Sequence, residues 1–204
     1  MIVYRVAPVV DGVPSHAPGG PLYVHPNQGG GRWDNPDRYL VLYVARHAEA
    51  AVAETFGNLA RWGPAMLHHP VLDTTRALIA YDLPDTTRLA DLDDPHLLVE
   101  LSTRPSRVVT RNRATTQALA ARIHATAGRG PGGRRWAGIR WWSYWSPEWP
   151  TIALWDRDGL TVQRVEPLAT QHAAVLAAAD HLSAPFSTQG SEPLGRCVCG
   201  PDTL

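Results

Sequence analysis

The distribution of apolar and polar positions predicts a mixture of strands and helices. Short apolar runs predict strands at residues 2–7, 39–45, 77–83 and 137–145. Two further runs, TIALWD and LTVQRVEPL, flank the turn sequence DRDG and predict a hairpin. Helical spacing of apolar residues predicts helices at 47–62, 112–127 and 170–182, with one or two short helices over 86–101 broken at Pro95. Because strands and helices do not alternate strictly, the pattern indicates an α+β protein.

The chain length of 204 residues is typical of one domain with a sizeable core. The periodic segments end at residue 182, so we expect a compact domain over 1–182 and an irregular tail over 183–204. The N-terminal sequence MIVYRVAPVV lacks the basic start and long apolar run of a signal peptide. No stretch reaches the roughly 18 apolar residues of a membrane span, so the cytoplasm is the expected location.

Charge and composition exclude several functions. The net charge is zero, so no overall basic field predicts binding to nucleic acid or to a membrane. All 19 basic residues are arginine, which excludes a lysine Schiff base and a P-loop lysine. The two cysteines, Cys197 and Cys199, are too few for a disulfide framework, and no second pair completes a zinc site. We therefore predict no metal.

Five residues could carry chemistry, although each also has an ordinary structural explanation. Arg5 interrupts an apolar strand and requires a partner, which could equally be structural. Arg32 follows three glycines, whose backbone can approach a ligand closely, but it could be an exposed loop residue. Tyr43 lies in a buried strand, where its ring could be core or the floor of a pocket.

Glu54 and Ser143 complete the set. Glu54 lies about 200° around the helix from Val52, so it is either an exposed glutamate or the wall of a cleft. Ser143 is predicted to share a strand face with Trp141 and Trp145. It could be a small spacer between their rings, or it could bind the amide or hydroxyl group of a ligand. No nucleophile motif surrounds Ser143, which argues against a hydrolase serine.

Taken together, the five side chains suit a dinucleotide with a cationic nicotinamide. Two arginines could hold a pyrophosphate, and an aromatic ring could stack on the nicotinamide. A carboxylate could stabilise positive charge at the ribose anomeric carbon or orient an incoming nucleophile.

The order of the motifs resembles the RES domain, which is named for its Arg, Glu and Ser residues. The resemblance is carried by YRV, GGGRWDNPDRYLVLYVA, the helix with AVAETF, the later helix TTQALAARI and AGIRWWSYWSPEWPTIALWD, and it covers about residues 2–165. It implies a compact α+β fold similar to that of ADP-ribosyltransferase toxins, with a mixed central sheet and flanking helices. Departures from the family pattern include the sequence RWWS, which ends at Ser143, the long Gly/Pro-rich segment 11–31 and the tail RCVCGPDTL.

The resemblance also implies an activity, site residues and a partner. RES toxins cleave the nicotinamide–ribose bond of NAD, some with inorganic phosphate as acceptor, so NAD and phosphate are the expected substrates. Arg32 and Glu54 would be catalytic, and Arg5, Tyr43 and Ser143 would bind NAD. The expected partner is an antitoxin with an Xre-like helix-turn-helix portion. Two alternatives remain open: an ADP-ribosyltransferase acting on a protein or small molecule, and a non-catalytic module that binds a nucleotide or a partner.

Overall fold

A computed structural model describes residues 1–110 and 112–186 of the chain, and within that part eight strands form one mixed sheet. The strands are β1 (Ile2–Pro8), β2 (Leu42–Ala45), β3 (His68–His69), β4 (Thr74–Asp82), β5 (Leu89–Asp91), β6 (Gly138–Trp142), β7 (Pro150–Leu154) and β8 (Thr161–Pro167). Their order is β3-β4-β1-β2-β7-β6-β5, and β8 pairs with β4. β5 and β6 are parallel, and the other pairs are antiparallel.

Six α-helices of the described part connect and cover the strands. They are α1 (Ala48–Phe56), α2 (Pro64–Leu67), α3 (Pro95–Glu100), α4 (Pro105–Val108), α5 (Arg113–His124) and α6 (Ala173–Leu182). Asn112 caps α5 by accepting a hydrogen bond from the Thr115 N–H at 3.1 Å. The mixed sheet with flanking helices confirms the α+β class predicted from the sequence. No helix in the described ranges is long and apolar enough to cross a membrane.

Three apolar clusters hold the helices and loops against the sheet. One cluster joins α1 and α6 to the sheet through Val52, Phe56 and Val175. A second joins α3 and α5 to β6 and to the loop before β2, and it includes the contacting rings of Trp33 and Trp141. The third lies on the face of β1, β2, β4 and β7 that carries Val3, Leu42, Ile79 and Leu154, and Leu22 and Val24 of the glycine-rich segment pack on it.

The hairpin predicted for TIALWD and LTVQRVEPL is wrong. β7 pairs with β2 on one side and β6 on the other, so neither of its edges is available to β8. β8 instead pairs with β4, from Ala77 to Asp82, and most of its side chains are exposed. The sequence DRDG therefore turns the chain, but the strands on either side of it pair elsewhere.

Two helix boundaries also differ from the prediction. Pro95 does not break a helix but begins α3. The N–H groups of the first helical turn have no acceptor within the helix, so the N–H that proline lacks costs no hydrogen bond there. The helix predicted over 47–62 ends at Phe56, followed by Gly57, and leaves Leu59 45% exposed. Val52 and Phe56 of the predicted apolar stripe are buried as expected.

The beginning of the predicted tail contacts the domain. The Pro185 carbonyl accepts a hydrogen bond from the Trp62 N–H at 3.0 Å, and the Phe186 ring lies edge-on to the Trp62 ring. The rest of the predicted tail, including Cys197 and Cys199, lies outside the described residues.

Candidate functional site

A cavity of about 670 Å³ opens where β1 and β2 separate. β1 pairs with β4 along all seven of its residues but with β2 only at Tyr4 and Ala45. The two strands therefore diverge, and the cavity lies beside this junction. Four of the five predicted site residues line it: Arg5, Arg32, Tyr43 and Glu54.

Ser143, the fifth predicted residue, contacts the cavity through Glu54. Its hydroxyl donates a hydrogen bond to Glu54 Oε1 at 2.6 Å and accepts one from the Trp145 N–H at 3.0 Å. Ser143 is 2% exposed, whereas Glu54 lies on the exposed side of α1. A buried hydroxyl thus holds an exposed carboxylate in one orientation at the cavity wall.

The position of Ser143 in the chain differs from the prediction. The predicted strand ends at Trp142, so Ser143 does not share a strand face with Trp145. It begins the loop between β6 and β7, which its N–H closes by donating to the Trp149 carbonyl at 2.8 Å. Trp145 of this loop lies against Gly57 at the end of α1, where a Cβ atom would come within 2.6 Å of the indole ring. Gly57 therefore allows the loop to approach α1.

Arg32 is a cation of the cavity with a nitrogen that remains available. Its Nη1 atom is buried and has no hydrogen-bond partner in the described part of the chain. An unpaired buried guanidinium nitrogen is costly, and a carboxylate or phosphate would satisfy it. Arg5, by comparison, already donates from Nη1 to the Tyr23 carbonyl at 2.8 Å.

Asp34 holds the glycine loop that carries Arg32. This carboxylate is 5% exposed, and its Oδ2 accepts hydrogen bonds from the N–H groups of Gly29 and Gly31 at 2.8 and 2.7 Å. Its Oδ1 accepts the Tyr43 hydroxyl at 2.6 Å. Charge-assisted hydrogen bonds of this kind are strong, so Asp34 fixes the loop and the tyrosine together.

Gln117 of α5 supports the same loop from outside. Its side-chain amide donates to the carbonyls of Gly29 and Gly31 at 3.1 and 2.9 Å. With Asp34 accepting from the N–H groups, both sides of the loop backbone are fixed. Asp34 and Gln117 were not predicted from the sequence; the only signal for Asp34 was a carboxylate two residues after Arg32.

Tyr43 contributes its ring rather than its hydroxyl to the cavity. The hydroxyl donates to Asp34 and accepts from the Trp33 N–H at 3.1 Å. Burial, and then the Asp34 carboxylate, raise the pKa of Tyr43 above its ordinary value, so the phenol stays protonated at neutral pH. The Trp141 ring packs edge-on against it at 6.3 Å between centroids.

The cavity also includes residues that were not predicted from the sequence. Thr110, which precedes α5, and Arg113, which begins it, both line the cavity. Tyr144 of the loop between β6 and β7 also lines it and is 52% exposed. Within residues 1–110 and 112–186 no cluster of His, Cys, Asp or Glu could hold a metal ion. The geometry therefore combines a carboxylate, an available arginine and aromatic rings in one cleft.

The family model of the RES domain matches residues 2–186. The chain is a member of the RES family. No curated protein matches it.

A solved structure shares the fold. The chain is similar to the MbcT toxin in the crystal structure of the M. tuberculosis MbcT-MbcA toxin-antitoxin complex, with 15% identity and a TM-score of 0.54. The similarity covers 90% of this chain and 89% of that chain. It shows that the two chains share the compact mixed sheet with flanking helices.

Proposed function

We propose that the chain cleaves the bond between nicotinamide and ribose in NAD, with inorganic phosphate as the acceptor. The observation that carries this proposal is the pair of opposite charges in one cavity: Glu54, held by Ser143, and Arg32, whose Nη1 has no partner in the described residues. NAD carries a cationic pyridinium ring and an anionic pyrophosphate, so it is electrostatically complementary to such a cavity. Membership of the RES family supports the same substrate.

The chemistry requires stabilisation of positive charge more than it requires acid–base catalysis. The bond between the anomeric carbon and the pyridinium nitrogen breaks, and its electron pair passes to the nitrogen, so nicotinamide leaves as a neutral molecule. An unprotonated oxygen of the phosphate dianion then forms the new bond to the anomeric carbon. Positive charge develops at that carbon in between, where the Glu54 carboxylate stabilises it. No protein group has to supply or remove a proton.

The remaining site residues bind and orient the substrate. In this proposal Arg32 binds phosphate oxygens through its guanidinium fork, and the nitrogens of Arg5 not committed to Tyr23 assist it. The Tyr43 ring packs against nicotinamide, and its hydroxyl, engaged as both donor and acceptor, takes no part in proton transfer. Ser143 acts through Glu54 as a positioning residue.

The test is nicotinamide release from NAD by the purified chain, with and without inorganic phosphate. We expect release that depends on phosphate and falls about 10²-fold or more in Glu54→Gln, which keeps the shape of the side chain but removes its charge. Glu49→Gln is the matched control, because Glu49 lies on the same helix and does not line the cavity. Equal rates for the wild type and Glu54→Gln, both folded, would refute the role of Glu54.

When the same reaction is run with labelled NAD, it also tests which group accepts the ADP-ribose. Label from NAD that appears on a protein would instead indicate an ADP-ribosyltransferase. Binding of NAD without nicotinamide release in either buffer would indicate a non-catalytic module.

We further propose that the activity makes the chain the toxin of a toxin–antitoxin pair acting on cytoplasmic NAD. The structural neighbour is the toxin of such a pair, and an Xre-type antitoxin that covers the cleft is the expected partner. Expression of the wild type is expected to deplete cellular NAD and arrest growth, whereas Glu54→Gln is not. Growth arrest that persists in Glu54→Gln without NAD depletion would contradict this proposal.

A further inference from the structure

A second cavity, of about 450 Å³, shares no lining residue with the cleft described above. It lies between the loop before β2, the end of α5 and the turn between β7 and β8. Its walls include three arginines, one carboxylate and aromatic side chains, among them Arg38, Arg134, Arg157, Asp156, His124 and Trp155. Cavities between about 300 and 1,000 Å³ commonly hold small molecules.

The cavity concentrates positive charge that the protein itself does not neutralise. Within the described residues, none of Arg38, Arg134 and Arg157 forms an ion pair or a side-chain hydrogen bond. Arg157 is half-buried, and this burial lowers the pKa of its guanidinium. The positive charge of Arg5 lowers the same pKa to a smaller extent. Three cations and the single carboxylate of Asp156 line the cavity. A cavity with such an excess of positive charge attracts anions from solution.

Aromatic side chains pack together at one wall of the cavity. The rings of Tyr39, His124 and Trp155 pack against one another with centroids 4.4 to 5.3 Å apart. The Trp155 Nε1–H donates to the Trp136 carbonyl at 2.8 Å, which fixes the indole. His124 adds no charge at neutral pH, because burial, and then Arg134 and Arg38, lower its pKa to about 4. The arginines are therefore the groups that a ligand would contact by charge.

We propose that this cavity binds a small phosphate-bearing anion, with its phosphate oxygens held by Arg38, Arg134 and Arg157. Guanidinium forks match the geometry of phosphate oxygens, and the exposed part of Trp155 offers a surface for a base if the phosphate belongs to a nucleotide. The site is separate from the cleft that holds Glu54. It does not depend on the reaction proposed for that cleft.

The test is a titration of the full chain with inorganic pyrophosphate and, separately, with ADP, followed through backbone amide signals in NMR spectra. Binding in the second cavity shifts the amides of residues 132–134 and 156–158, whereas binding in the cleft shifts those of 29–32. We expect the first group to shift, and Arg134→Gln to weaken that binding about tenfold through loss of charge-assisted hydrogen bonds. Tighter binding of ADP than of pyrophosphate would assign the site to nucleotides; equal binding would assign it to the phosphate group alone.

Arg129→Gln is the matched control for charge. Arg129 lies in the same basic loop as Arg134, is exposed and does not line the cavity. We expect this control to weaken binding less than about twofold, as for a distant exposed charge. Equal weakening by Arg129→Gln and Arg134→Gln would show that binding depends only on the overall charge of the chain, and it would overturn the proposal. The absence of shifts at residues 132–134 and 156–158 at millimolar ligand would overturn it as well. Arg38→Gln, at an exposed position, provides a second variant.

Discussion

A methyl group added at Gly31 tests the hydrogen-bonded loop that carries Arg32. A Cβ atom at this position would contact the Tyr43 hydroxyl and lie 2.6 Å from Asp34 Oδ1, which is far inside contact distance. The methyl group of Gly31→Ala would therefore separate the tyrosine from the aspartate, whose oxygens are now 2.6 Å apart. It would also strain the hydrogen bond from the Gly31 N–H to Asp34.

The size of the effect follows from the bonds that are lost. A hydrogen bond to a charged group contributes about 1.5–3 kcal/mol, and its loss would leave the buried Asp34 carboxylate partly unsatisfied. With one such bond broken and a second strained, we expect Gly31→Ala to lower the free energy of unfolding by about 2–4 kcal/mol. At a urea m-value of about 2 kcal/mol/M, the unfolding midpoint would fall by about 1–2 M.

Gly30→Ala is the matched control, one residue away in the same loop. A Cβ atom at Gly30 meets nothing within 4 Å, and Gly30 is not among the glycines with positive φ. We expect this variant to keep the wild-type urea midpoint, or to gain up to about 1 kcal/mol from the lower entropy of the unfolded chain. Equal midpoints for Gly31→Ala and Gly30→Ala would refute the argument that Asp34 and Tyr43 fill the space beside Gly31.

Three further predictions concern other parts of the molecule. Ser143→Ala removes the donor to Glu54 and leaves the Trp145 N–H without its acceptor, so we expect kcat for nicotinamide release to fall about tenfold and the melting temperature to fall as well; an unchanged kcat in the folded variant would argue against the positioning role. Gly57→Ala would ordinarily be neutral or stabilising at φ −59°, but its Cβ would lie 2.6 Å from the Trp145 ring, so a lower melting temperature is expected and a higher one would contradict the packing. The pKa of His124 is about 4 in the folded chain and about 6.5 in the unfolded chain, so the unfolded chain binds the proton first as the pH falls. Stability is thus present above pH 6.5 and is lost as the pH falls toward 4. We expect the urea midpoint of the wild type to drop more between pH 7 and pH 5 than that of His124→Gln, and equal drops would show that His124 is not the cause.

Local signals in the sequence were sufficient for most elements and insufficient for their pairing. Apolar runs and capping residues are local, so β1, β4, α5 and α6 lie close to their predicted positions. The predicted hairpin failed because strand pairing depends on which edges of the sheet are free. Both edges of β7 are occupied by β2 and β6, a fact that no pattern within the hairpin sequence records.

The five candidate residues could be named from the sequence, but the hydrogen bonds that distinguish them from one another could not be predicted. Ser143 and Glu54 are 89 residues apart in the chain, and Gln117 is 86 residues from Gly31, so their hydrogen bonds depend on the whole fold. The residue types alone allowed either Arg5 or Arg32 to hold phosphate, and only the family resemblance gave Arg32 a catalytic role and Arg5 a binding role. The structure distinguishes them, because Arg5 donates to a backbone carbonyl while Arg32 retains a buried nitrogen without a partner in the described residues.

This difference between the two arginines has a consequence for ligand binding. A guanidinium already bonded to a carbonyl must share or exchange that bond when a phosphate arrives, whereas an unpartnered buried nitrogen gains a bond that it lacks. The net gain on binding an anion is therefore larger at Arg32 than at Arg5. Because Asp34 and Gln117 already fix the loop around Arg32, little further ordering of its backbone opposes that gain. The rigid glycine loop thus places the more available of the two cations in the cleft that also contains Glu54.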